Sequence, residues 1–167
     1  MQIQDQALSH PLVKALLKEE KKFDIVIVSI FGSEAGYYLA KKFDSDIVLY
    51  STAQVALPWM NIAMGQPHNP SYMPLPLLEY GTDMSFIQRF RNTVMTTFIH
   101  TMRDYFMVSK VESLLDKHFP GEVRPSLLDI EKNATAAFSF SHPLFSDGWR
   151  PTNPNYVHLG MMNCRYG

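Results

Sequence analysis

Few residues in this chain are placed to do chemistry. Ser29 closes the run FDIVIVS. A short polar residue where a buried strand gives out is a working group, a replacement for one, or a satisfied hydroxyl. Ser33 follows in GSEAG, second rather than third, so it fails the G-x-S-x-G turn that exposes a nucleophile. It reads instead as a helix N-cap, accepting an amide hydrogen in the first turn. Gly32 alone lacks the further glycines of a dinucleotide fingerprint. The histidines His10, His68, His100, His118, His142 and His158 form no pair at metal-ligand spacing. His100 is expected on a solvated helix face, and His158 as a satisfied structural histidine in a buried strand. Cys164 is the only cysteine, which excludes an internal disulfide and a cysteine metal cluster.

A second group is suited to binding rather than reaction. Trp59, Met60, Met64, Tyr72 and Met73 bracket a proline-rich stretch. Such side chains on a loop near the carboxyl ends of parallel strands make an apolar pocket, and they serve equally well as plain packing beneath the loop. Asn133-Ala134-Thr135 is an N-glycosylation sequon, relevant if the protein enters the secretory pathway.

The elements that position these residues follow from periodicity. Residues 3 to 22 carry apolar positions near helical spacing, with Ser9-His10-Pro11 as an interruption or a helix start. FDIVIVS is a β-branched run without alternation, expected to be a parallel strand buried on both faces. A turn at Gly32-Ser33 and a helix over 34–43 lead to DIVLY at 46–50, the spacing of a βαβ unit. The fold class is therefore α/β. Prolines 67, 70, 74 and 76 make 66–82 a stiff extended loop. From Ser85 the series Phe86, Phe90, Val94, Phe98, Met102, Phe106 predicts a long helix, about 85–117, with that wide face buried and Phe119-Pro120-Gly121 as its stop. A short helix near 125–132 and strands at 134–140 and 156–160 complete the pattern. It begins in a helix and stops seven residues after a strand, as a piece cut from something larger would.

Composition narrows the function classes. A chain of 167 residues, 46% apolar and 19% charged, builds a real core and is not mainly disordered. The formal net charge of −1 with scattered Lys and Arg argues against nucleic acid as partner. The first fifteen residues lack a signal-peptide pattern, and no apolar run reaches the ~18 residues of a membrane span.

Several landmarks in fixed order resemble the UDP-glycosyltransferases of animals, the UDP-glucuronosyltransferase-like family, arthropod members especially. FDIVIVS with LAKKF resembles a strand and helix of the acceptor-binding domain, and NPSYMPLPL resembles the P-S-Y-x-P segment. GTDMSFIQRFRN resembles the opening of the family's long helix. EKNATAAFSFSHPLF and RPTNPNYVHLG resemble the closing strand, the R-P-x-x-P-N turn and the last strand before the linker.

The resemblance implies a Rossmann-like parallel sheet with flanking helices, residues 1–167 forming one incomplete acceptor-binding domain in the amino-terminal half of a two-domain GT-B enzyme. It implies transfer of a sugar from a UDP-sugar to a hydroxyl of a small lipophilic acceptor, with inversion. Acceptor contacts are expected from Phe31, Trp59, Tyr72 and Met73. No cofactor is expected on this chain; the UDP-sugar belongs to a second domain outside it, and the isolated chain is expected to be inactive. Ser29 stands where many members carry an aspartate that orients a catalytic histidine. Serine keeps the hydrogen bond but not the charge, and Glu34 in the next turn is a possible substitute carboxylate. A fragment of the full enzyme belongs on the lumenal side of the endoplasmic reticulum membrane, attached through segments not present here; a chain native as written would be cytoplasmic. The alternative is a noncatalytic truncated protein that binds lipophilic ligands or pairs, as homo- or hetero-dimer, with full-length family members. A small α/β hydrolase finds little support, because the nucleophile turn is absent.

Overall fold

The computed structural model describes residues 2–19, 21–52, 57–66, 68–140 and 153–160. Helices α1 (Gln2–Ser9) and α2 (Pro11–Lys18) break at the anticipated Ser9-His10-Pro11. Proline suits the first turn, and His10 Nδ1 caps it by accepting from Leu12 N at 3.3 Å. Strand β1 (Ile25–Ser29), helix α3 (Ala35–Lys42) and strand β2 (Asp46–Ser51) form the expected parallel pair with its crossover. Helix α4 (Pro58–Ala63) follows. After it come α5 (Phe86–Met102), a π-helical segment Arg103–Val108, and α6 (Ser109–His118) as one continuous rod. Helix α7 (Leu127–Lys132) and strands β3 (Ala136–Ser139) and β4 (Tyr156–His158) end the described order.

The sheet runs β1-β2-β3-β4, parallel throughout. Its register puts Val28, Leu49, Ala137 and Tyr156 side by side on one face. Those residues join Leu8, Tyr37, Met60, Leu115, Leu127 and Ile130 from the helices in a single core. The Gly36 Cα lies so close to β1 that an added Cβ would sit 2.9 Å from Val28 Cγ1. Only glycine lets α3 lie that near the strand.

Four expectations need correction. The FDIVIVS strand is not buried on both faces: Ile25 and Ile27 are 57% and 65% exposed. Among the described residues β1 is an edge of the sheet, and the core gathers on the Val28 side, leaving the odd-numbered residues outward. The series from Phe86 to Phe106 is not the buried face of the long helix, since Phe86, Phe90 and Phe98 are exposed. A strict spacing of four drifts about 40° per step on a helix of 3.6 residues per turn, so such a row winds around the rod. What α5 buries is Asn92 and Thr96, because Asn92 serves the backbone of the proline-rich loop. Asn92 Oδ1 accepts from Leu75 N at 2.7 Å, and Nδ2 donates to Pro70 O at 2.6 Å and Met73 O at 2.9 Å. That loop is also not wholly extended; Pro76–Leu78 form a 3₁₀ turn opened by Pro76. Finally, Ser33 is not the side-chain cap of α3. Glu34 holds the N-cap position without a cap bond, and Ser33 contributes its carbonyl, which accepts from Gly36 N at 2.8 Å.

The start of α5 was legible. Ser85 and Gln88 form a reciprocal capping box, Ser85 Oγ accepting from Gln88 N at 3.4 Å and Gln88 Oε1 from Ser85 N at 2.8 Å.

Candidate functional site

Where β1 ends, the chain turns through Gly32, whose φ of +64° suits a residue without Cβ. Beside this turn lies a cavity of about 390 Å³. Ile30 and Phe31 come from the strand end, Trp59 from α4, Phe98 and Met102 from α5, and Phe106 from the π-helical segment. Two ionisable groups, Glu34 and Arg103, border it. Ligands in open parallel sheets bind at the carboxyl ends of strands, and this cavity has that position.

Arg103, which lines it, belongs to a buried polar cluster. Arg103 and Glu131 are each only 5% exposed at the side chain, and one guanidinium nitrogen donates to both carboxylate oxygens, at 2.8 and 2.9 Å. Tyr37 OH donates to Glu131 Oε1 at 3.3 Å. Burial pushes the Glu131 carboxyl up, with Arg103 pulling it back; burial and then the Glu131 charge push the Tyr37 hydroxyl up. The Arg103 guanidinium also stands 5.1 Å from the centre of the Trp59 ring. Trp59 and Arg103 form a partition, because both also line a smaller hollow of about 230 Å³ with His100 and Asp104. Arg103 opens the π-helical segment, and such bulges recur at functional sites.

The four expected acceptor contacts separate. Phe31 and Trp59 line the same cavity. Tyr72 and Met73 lie on the proline-rich loop; Tyr72 is exposed, and Met73 is fully buried beside the Asn92 bonds. Neither lines the cavity. Ser29 sits at the strand end, its Oγ accepting from Phe31 N at 3.3 Å, which steadies the turn. Glu34 is buried, with Oε2 accepting from Gln4 Nε2 at 2.9 Å. Asn133 is exposed at the carboxyl end of α7, its Nδ2 donating to Asp129 O at 3.0 Å. It borders a cleft of about 730 Å³ at the opposite end of the sheet, beside the start of β2.

Among the described residues no cluster of three potential metal ligands exists. His100 Nδ1 lies 3.1 Å from Asp104 Oδ2, and the residue is half-buried rather than solvated. His158 lies in β4 with its ring 5.1 Å from Tyr156. His142 and Cys164 lie outside the described residues. Arg103, Glu131 and Tyr37 were missed by the sequence reading. The usable signal was an arginine inside an apolar helical run, which cannot be solvated if that turn faces a core; its partner, 28 positions away, has no local pattern.

Chemically, the site can hold a flat apolar ligand among aromatic and methionine side chains and present to it one carboxylate. No helix among the described residues is long and apolar enough to cross a membrane. The family model for "UDP-glucoronosyl and UDP-glucosyl transferase" matches residues 4–166. The chain is 30% identical to UDP-glucosyltransferase 2 of Dactylopius coccus over 147 residues, covering 87% of the chain and 28% of that relative. Another protein of that insect, UDP-glycosyltransferase UGT5, is 30% identical over 134 residues, 78% of the chain and 24% of the relative. Human UDP-glucuronosyltransferase 1A8 is 26% identical over 157 residues, 89% of the chain and 27% of its own length. No solved structure matches. The chain thus spans little more than a quarter of its relatives' length, and it belongs to the UDP-glucoronosyl and UDP-glucosyl transferase family.

Proposed function

We propose that these residues form the acceptor-binding part of a UDP-glycosyltransferase that moves a sugar from a UDP-sugar to a hydroxyl of a small lipophilic compound. The observation that supports this is the cavity at the end of β1, walled by Phe31, Trp59, Phe98, Met102 and Phe106. Its size, about 390 Å³, falls in the usual range of small-molecule pockets. The UDP-sugar is held by parts of the protein outside this chain, and the chain alone does not transfer sugar. Family membership gives sugar transfer as the reaction; the cavity gives the reason to assign acceptor recognition to this portion.

Ser29 makes a neutral hydrogen bond where a carboxylate would add charge, and it lines a neighbouring cavity of about 470 Å³ beside α1 and α3 rather than the one at Phe31 and Trp59. In the completed enzyme, Ser29→Asp is expected to raise the transfer rate by stabilising a protonated base. An unchanged rate refutes that role. For the cavity itself, Phe98→Glu is expected to abolish binding of a naphthalene-sized ligand measured by calorimetry, and undiminished binding refutes the assignment.

A further inference from the structure

Glu34 is the one carboxylate at the cavity, and its surroundings are unusual. It is 3% exposed. Its Oε2 accepts from Gln4 Nε2 at 2.9 Å, and the same nitrogen donates to Gly32 O at 2.7 Å, so Gln4 clamps both the carboxylate and the turn. Gln4 is itself buried and lies in α1, thirty positions away, so this is a tertiary arrangement rather than a local cap. Among the described residues nothing donates to Oε1, and Glu34 has no ion-pair partner. Arg103, at the same cavity, pairs through its terminal nitrogens with Glu131 and Asp104, and its buried Nε has no partner among the described residues. Oε1 is not among the buried side-chain atoms left without a partner, so it keeps access to the cavity that Glu34 lines, and a carboxylate oxygen is an acceptor for a ligand's hydroxyl hydrogen.

We infer that Glu34, held by Gln4, is the specificity-determining anchor of the cavity: its free oxygen receives the hydroxyl hydrogen of a lipophilic, hydroxyl-bearing ligand. The assignment rests on the acceptor-cavity reading. It explains how a site walled mainly by apolar side chains, with Arg103 held by Glu131 and Asp104, selects ligands that carry a hydroxyl over equally apolar ethers. Gln4 is a positioning residue; it fixes which oxygen faces the ligand.

The test uses the 167-residue chain and two probes of nearly equal shape, 2-naphthol and 2-methoxynaphthalene, titrated calorimetrically. Burial alone favours the ether. With Glu34 as anchor, 2-naphthol binds at least about tenfold tighter, the range of a hydrogen bond to a charged group. Glu34→Gln keeps an oxygen for Gln4 but turns an NH₂ toward the ligand, so the preference disappears or reverses. Equal binding of the two probes, or a preference that survives E34Q, overturns the assignment while leaving the cavity reading intact. Binding of neither probe removes the cavity reading and this inference with it. Should E34Q fail to fold, the wild-type chain with labelled glutamate carboxyl carbons decides: the Glu34 signal shifts with 2-naphthol and not with the ether, and its failure to move overturns the assignment.

Discussion

At the scale of single residues, Arg103, which lines the cavity, is held by its buried pair with Glu131. Glu131→Gln leaves the buried guanidinium with Asp104, 3.4 Å away, as its remaining carboxylate, so the loss is expected at or below the lower end of the about 3–5 kcal/mol that breaking a buried pair costs. The double change Arg103→Met with Glu131→Leu removes both charges and is expected to cost less, which chemical denaturation of the two variants beside the unchanged chain checks. Glu122 acts through pH instead. Lys42 Nζ donates to its Oε1 at 2.6 Å and Tyr38 OH to its Oε2, and these bonds, the lysine first, hold the carboxyl below its ordinary value of 4.5. The folded state therefore binds this proton less readily than the unfolded one. The resulting stability is present above the ordinary value and is lost as pH falls through the depressed one. Glu122→Gln should flatten that acid limb in a series of melts from pH 7 to pH 3, and an unchanged limb would contradict the linkage.

At the scale of elements, the long rod is oriented by polar chemistry rather than by its aromatic row. Asn92→Ala strips three hydrogen bonds from the backbone of the proline-rich loop. Each stranded buried group costs about 1–3 kcal/mol, so this change is expected to be among the most destabilising in α5. By contrast, Phe90→Ser on the exposed row should change stability by no more than about 0.5 kcal/mol, whereas Leu115→Ala in the core should cost about 2–5 kcal/mol. Urea titrations of the three variants give the order directly. This contrast also marks where the sequence was readable. The β-branched runs, the Ser85–Gln88 cap and the Phe119-Pro120-Gly121 stop are local signals, and strands and helices appear where those residues put them. Which side of a helix faces inward depends on partners far along the chain. The row from Phe86 to Phe106 looked like a core stripe because nothing in its own spacing reveals that Asn92 is needed elsewhere.

At the scale of the whole molecule, the described residues form a four-stranded parallel sheet whose face of Val28, Leu49, Ala137 and Tyr156 joins the core, and β1 ends in a turn beside a largely apolar cavity. The fold class was legible from the strand and helix patterns, and the structure puts Phe31 and Trp59, from the strand end and the next helix, beside one cavity. Glu34 was visible only as a nearby carboxylate, since its burial depends on Gln4. The buried cluster of Arg103, Glu131 and Tyr37 was not visible at all. Tyr72 and Met73 were grouped with the site because the proline-rich loop was placed by composition; Asn92 instead ties that loop to α5. The measurement that bears most directly on this account is a fluorescence titration of the chain carrying Trp149→Phe, which leaves Trp59 as its single indole, with 2-naphthol as ligand. The expected result is a saturable change in Trp59 emission that Phe98→Glu abolishes while the fold is retained. A signal that never saturates, or one that Phe98→Glu leaves untouched, would contradict the assignment of this cavity to ligand binding.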